Sequence, residues 1–335
     1  MNFDSAEKIA AAILYEGYIL YPYRPTAIKN RQRWNFGTLY PRIYAEAQRP
    51  QEPFGLVAEC IAAADDKASL DVRISFLQLV PTQHADELQD PSLAWDEAVE
   101  RTSEHADLRL SDLIAAPLTL TIEMETAGPS TTLRSGSDAE KFAVRQNLQM
   151  ELAISAQLLQ GGACKLHLEV QNTTPLPSGA GAKREEALPL SLVSAHLLLG
   201  IKGGEFVSLL DPDPKYREAV AACCSTGVFP VLVGEEPERP VPACRGSMMF
   251  CSPIILYDYP KIAPESEGDF FDGTEMDEML TLRVLTLTDA EKQEMRSGDP
   301  RARKILERTE ALTSDALLKT HGVIRGLREI RGGTQ

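Results

Sequence analysis

The chain has 335 residues, 43% hydrophobic and 25% charged, with 49 acidic against 34 basic side chains and a net charge of −15. A chain this long buries about three quarters of its unfolded surface, so a real core is expected and wholesale disorder is excluded. The negative field disfavours nucleic acid and anionic membranes as partners, and no apolar run approaches the ~18 residues that span a bilayer.

The first segment, MNFDSAEKIAAAILYEGY, carries acids ahead of its apolar run and lacks a small-residue cleavage site. It makes a poor secretion signal, and a cytoplasmic location is expected. Ile9, Ile13 and Leu14 share a helical stripe with several alanines, so an amphipathic helix opens the chain over residues 5–18, with Ser5 as its cap. Pro22 and Pro25 then stop the helix and hold the chain extended. Eight of the 21 aromatic residues fall between Tyr15 and Tyr44, together with five Arg or Lys against one Glu. Residues 1–50 therefore read as a helix followed by a displayed basic, aromatic leader.

Over residues 51–260 the period changes to two. The sharpest alternation runs through Leu148, Met150, Leu152 and Ile154, and then, after Gly161-Gly162, through Cys164, Leu166, Leu168 and Val170. This predicts an antiparallel hairpin. Further strands are expected over residues 54–62, 70–79 and 118–124, and as a pair on either side of Lys202-Gly203-Gly204. Six or more short antiparallel strands predict a β-sandwich. Residues 95–105 read as helix, residues 178–187 as a mobile loop, and Asp213-Pro214 as the start of a helix reaching Cys224.

Residues 261–335 open with an acidic linker, seven acids in the fourteen residues from Glu265 to Glu278. Thr288 and Glu291 form a capping box, and Asp299-Pro300 starts a further helix. The fold class expected is α+β: a sandwich body, an N-terminal helix with its leader, and a mainly helical C-terminal region.

Cys223, Cys224, Cys244 and Cys251, with His196 as a further donor, are the candidates for an iron, nickel or zinc site. Their spacing does not match a zinc knuckle, and buried, reduced thiols are the plainer reading, with no resident cofactor. Cys164 and His167, three apart on a strand, fall on opposite faces and do not share a metal. No G-x-S-x-G, H-E-x-x-H, G-x-G-x-x-G or P-loop pattern occurs, so the chain reads as non-enzymatic. The leader is the remaining candidate. Tyr21, Tyr23, Arg24, Lys29, Arg31, Arg33 and Trp34 are of the types enriched in interface hot spots and predict a surface for a protein partner. The alternative is that the aromatics pack against the body and the arginines pair with the chain's own acids.

Three segments, YEGYILYPYRPTAIKNRQRWNFGTLYP, GGEFVSLLDP and GDFFDGTEMDEMLTLRVLTLTDAEK, together resemble an accessory-protein family encoded beside high-affinity, oxygen-insensitive [NiFe]-hydrogenases of the actinobacterial type. The resemblance supplies no catalytic residues. It implies a context, the assembly, maturation or support of a hydrogenase, with hydrogenase subunits or maturation factors as partners.

Overall fold

The computed structural model describes residues 3–16, 21, 23, 36–80, 97–125, 132–133, 141–142, 146–234, 245–261, 277–297 and 300–312. The chain divides into two compact units, Met1–Glu16 with Trp34–Lys261, and Gly17–Arg33 with Ile262–Gln335. The acidic linker expected after residue 261 lies outside the described residues up to 276.

In the first unit, α1 (Asp4–Leu14) and a short α2 (Arg42–Ala47) precede β1 (Gly55–Val80), which is 26 residues long. There follow β2 (Glu97–Arg109), α3 (Leu110–Ala115), β3 (Leu118–Met124), β4 (Thr132–Leu133), β5 (Lys141–Phe142), β6 (Leu148–Leu159) and β7 (Ala163–Asn172). Next come α4 (Arg184–Ala187), β8 (Val193–Val207), α5 (Arg217–Ala221), β9 (Phe229–Val233), β10 (Arg245–Gly246) and β11 (Met248–Ser252). The strands form one antiparallel sheet in the order β3-β6-β7-β1-β8-β11-β9, with β2 also on β1 and β10 on β8, while β4 and β5 pair separately.

The α+β class and the antiparallel sheet hold, but the strands join in a single open sheet where two separate sheets were expected. The cause is local. Residues 65–68 bulge out of β1 between the partners Ala64↔Gly204 and Ser69↔Lys202, so the two strands expected over 54–62 and 70–79 are one strand with a corner. Gly203, at φ +80, and Gly204 make the matching corner in β8; a Cβ on Gly204 would lie 2.5 Å from that of Ala64. What reads in sequence as a turn between two strands is thus a bend within one.

A straight strand of this length would span about 85 Å. Instead, Gln78 near the far end of β1 donates to Gln146 O, just ahead of β6, at 2.6 Å. The near end is tied to the same region, since Tyr40 N donates to Pro53 O and neighbouring Leu39 bridges Leu192, next to β8. Both ends of β1 therefore meet at one end of the unit, and the sheet folds over on its corner.

β8 from Val193 to Ile201 and the whole of β11 are buried on both faces. One face is closed by α1, whose Ala6, Ile9 and Ile13, with Phe3 just ahead of it, pack on Leu198, Val231, Met248 and Phe250. Burying each large apolar side chain contributes about 1.5–3 kcal/mol. Arg73 fastens the rim: its guanidinium lies 4.9 Å from the Phe3 ring centroid and pairs with Glu7 and, at 2.8 Å, with Glu104.

Other expectations are corrected. Residues 97–105, with helix-forming Glu, Ala and Arg, are part of strand β2, because pairing along β1 from Ser69↔Arg109 to Val80↔Glu97 outweighs local propensity. Residues 178–187 fold into short helical turns, where Glu186 accepts from Lys183 N at 2.8 Å and from Ser178 Oγ at 3.0 Å. The helix expected from Asp213 to Cys224 is a 3-10 turn, Pro214–Tyr216, and then α5, ending at Ala221; Asp213 does cap Lys215 N, at 3.1 Å.

In the second unit, α6 (Asp277–Leu285), α7 (Asp289–Ser297) and α8 (Pro300–Ala311) bury Leu280, Val284, Met295, Ile305 and Leu306. The expected capping box is present, with Thr288 N on Glu291 Oε2 at 2.9 Å and Glu291 N on Thr288 Oγ1 at 3.3 Å. Arg296 grips both carboxylate oxygens of Glu310, at 2.8 and 2.9 Å. Among the described residues no helix is long and apolar enough to cross a membrane.

Candidate partner-binding site

Of the leader residues singled out by sequence, Tyr21 and Tyr23 are described, whereas Arg24, Lys29, Arg31, Arg33 and Trp34 lie outside the described residues. The two tyrosine rings meet edge to face with centroids 6.2 Å apart, and the Arg283 guanidinium from α6 lies 5.6 Å from the Tyr21 ring centroid. Tyr23 is 1% exposed and holds a left-handed backbone at φ 56. In this arrangement Tyr23 is a packed core side chain, and half-buried Tyr21 has a cation of its own chain on its face.

The cysteines are free thiols at every described position. Cys251 is buried in β11, and burial raises its pKa. Cys223 is half-buried, its Sγ 3.6 Å from Ala219 O; burial pushes its thiol up to about 11, against the pull of nearby Lys165. Cys224 is exposed, and Cys244 lies outside the described residues. Among the described residues no group of three or more His, Cys, Asp or Glu side chains is placed to hold a metal ion. His196, weighed as a ligand, is a core residue 1% exposed.

Cys164 and His167 do fall on opposite faces. Cys164 is buried, with its Sγ 3.6 Å from Ala64 O, while His167 Nδ1 lies 3.0 Å from Glu59 Oε1 across β1 and β7. Sequence reading did not find this Glu59 cluster, because its members are 59, 165, 167 and 224 in the chain and only strand register joins them. Lys165 Nζ lies 2.7 Å from Glu59 Oε2 and Cys224 N donates to the same oxygen at 2.7 Å. Partial burial acts to raise the Glu59 pKa, but the hydrogen bonds from Lys165, Cys224 N and His167 outweigh it and hold the carboxyl low. Lys165 also donates to Ala222 O at 2.9 Å, and Thr226 bridges Val57. The cluster is a clamp that fixes the end of α5 to the sheet.

A second charged cluster sits at the corner. Buried Asp71 accepts from Asp107 N at 2.7 Å and pairs with Lys202 Nζ at 3.0 Å, and Lys202 also reaches Asp107 at 2.7 Å. Burial acts to raise the Asp71 pKa, and these bonds lower it on balance. Beside the cluster, a surface cavity of about 540 Å³ is lined by Asp66, Lys67, Ser69, Asp107, Arg109 and Ser111. Its side chains are of mixed sign and mostly exposed, so it offers no single complementary charge.

The clearest exposed feature of the first unit is apolar. Residues 253–259 follow β11, and within them Ile255 and Tyr257 are exposed on either side of partly buried Leu256. Leu256 packs into the α1 cluster and Tyr259 is 8% exposed, whereas Ile255 is 75% and Tyr257 84% exposed. The segment is held at several points. Ile254 N donates to Ser252 Oγ at 3.2 Å, Leu232 N to Asp258 Oδ1 at 2.8 Å, Ser208 Oγ to Asp258 Oδ2, and Tyr259 OH to Arg245 O. Phe229, 44% exposed, pairs with Ser252 and adds a third apolar side chain at the same end of β9 and β11. Such fixed backbone presents aromatic and aliphatic anchors at little entropic cost on binding. Nothing in the sequence marked this loop, since SPIILYDYP reads as one more apolar run before a proline.

Comparison with protein-family models and with curated proteins gives no match for the chain.

Proposed function

We propose that the chain is a non-enzymatic, cytoplasmic accessory protein that binds a protein partner, in the assembly, maturation or support of a [NiFe]-hydrogenase. The observation that carries binding is the clamped loop with Ile255 and Tyr257 turned outward, because large apolar side chains fixed in water are the anchors of protein interfaces. The hydrogenase context rests on the three segment resemblances, and the basic leader around Arg31, Arg33 and Trp34 supplies a second contact of opposite sign to the body's net charge. Partners of this loop carry an apolar pocket with a polar rim.

The test is a paired loss of capture. Ile255→Ser with Tyr257→Ser removes the anchors without touching the Asp258 clamp, and truncating two exposed hot-spot side chains weakens binding by about 2–4 kcal/mol. Capture of hydrogenase subunits by the tagged variant should fall at least tenfold while its circular dichroism is unchanged. Undiminished capture by the folded variant refutes this surface.

A further inference from the structure

Two outer edges of the sheet, those of β9 and β3, are finished differently. Outside β9 the backbone is occupied: Leu232 N donates to Asp258 Oδ1 and Leu232 O accepts from Tyr259 N, both at 2.8 Å, and Pro230 has no N–H to offer. At the opposite edge, β3 pairs with β6 along its whole length, from Leu118↔Ile154 to Met124↔Leu148, and among the described residues no other strand pairs with it. β3 has seven residues and carries none of the prolines, lysines or bulges that protect edge strands. Leu118, Leu120, Ile122 and Met124 are only half-buried, and Thr119, Thr121 and Glu123 are exposed. Four apolar side chains left half in water on the inner face are what a strand shows when one neighbour is missing.

We propose that β3 is a homodimer interface, in which two copies of the chain join edge to edge and antiparallel about a two-fold axis through Thr121. A second copy is the occupant because the strand is self-complementary in this register. Leu118 faces the second copy's Met124, Leu120 faces its Ile122, Thr119 faces its Glu123, and Thr121 faces its own equivalent. Apolar side chains meet apolar ones and no like charges are opposed. Alternate N–H and C=O groups of β3 point away from β6 and find partners across the axis. Such an isologous contact closes after two copies and does not run on into fibres. With a charge of −15 on each copy, long-range repulsion opposes the dimer, so it tightens as salt rises.

Sedimentation equilibrium of the full chain at low and high salt reads the dimer directly. Thr121→Lys sets two ammonium groups opposite each other from a side chain that is exposed in the single copy, and is expected to raise the dissociation constant about fivefold. Thr121→Glu should do the same, and an equimolar mixture of the two variants should restore a dimer of mixed composition. Circular dichroism checks that both variants fold. A chain that stays monomeric at every concentration and salt, a dimer indifferent to either variant, or a weakened dimer that the mixture does not rescue overturns the proposal.

Discussion

His196 illustrates how much a residue's meaning depends on its neighbours. It lies in β8 with its Nδ1–H donated to Ser194 O at 2.8 Å and its ring edge-on to Phe250, centroids 5.2 Å apart. Burial pushes its pKa down to about 4 from an ordinary 6.5, against the smaller upward effect of the Ser194 carbonyl. The unfolded chain therefore takes up a proton near pH 6.5 that the folded chain refuses until about pH 4. This contribution to stability is complete above pH 6.5 and is lost as pH falls through that window. Between pH 7 and pH 5 the loss is about 2 kcal/mol. Denaturant midpoints at the two pH values measure it, and His196→Leu should remove this part of the pH dependence; a leucine variant with the full wild-type slope contradicts the assignment. In sequence His196 looked like a spare metal ligand, because nothing in a string of apolar β8 residues states that a ring nitrogen will find a carbonyl two residues away. Cys164 and His167 were legible for the opposite reason: the strand period alone separates them.

At the scale of elements, what was legible is what local chemistry decides. The β6–β7 hairpin follows from clean alternation around Gly161-Gly162, both at positive φ, and the Thr288–Glu291 capping box from its own two side chains. The misread elements depend on distant partners. β2 carries a helix-forming composition and becomes a strand along β1, and the two halves of β1 merge because β8 runs past both. The corner that merges them is tightly packed. A Cβ on Gly204 would stand 2.5 Å from Ala64 Cβ and 3.1 Å from Ala63 O. Gly204→Ala should therefore destabilise the protein by about 1–3 kcal/mol. Adding Ala64→Gly should recover part of that loss by removing the nearer of the two contacts. Chemical denaturation of the single and double variants reads both numbers; a Gly204→Ala chain as stable as the wild type would mean that the corner is not tightly packed. β9 and β11 went unrecognised because FPVLV and MMFCS are short apolar runs without period, as fully buried strands are.

At the scale of the whole molecule, the chain sets an acidic total charge against a basic, aromatic leader and an apolar loop. The leader was legible as composition, although five of its seven singled-out residues lie outside the described ones. The Ile255 and Tyr257 loop was not legible, since exposure depends on the Asp258 clamp and on Leu256 facing the core. The proposed role is to hold a hydrogenase-associated protein partner. The measurement that tests it most directly is to tag the chain in its native host, purify it under mild anaerobic conditions and identify what co-purifies by mass spectrometry. Hydrogenase subunits or maturation factors should co-purify in stoichiometric amount; a clean chain with no partner refutes this role.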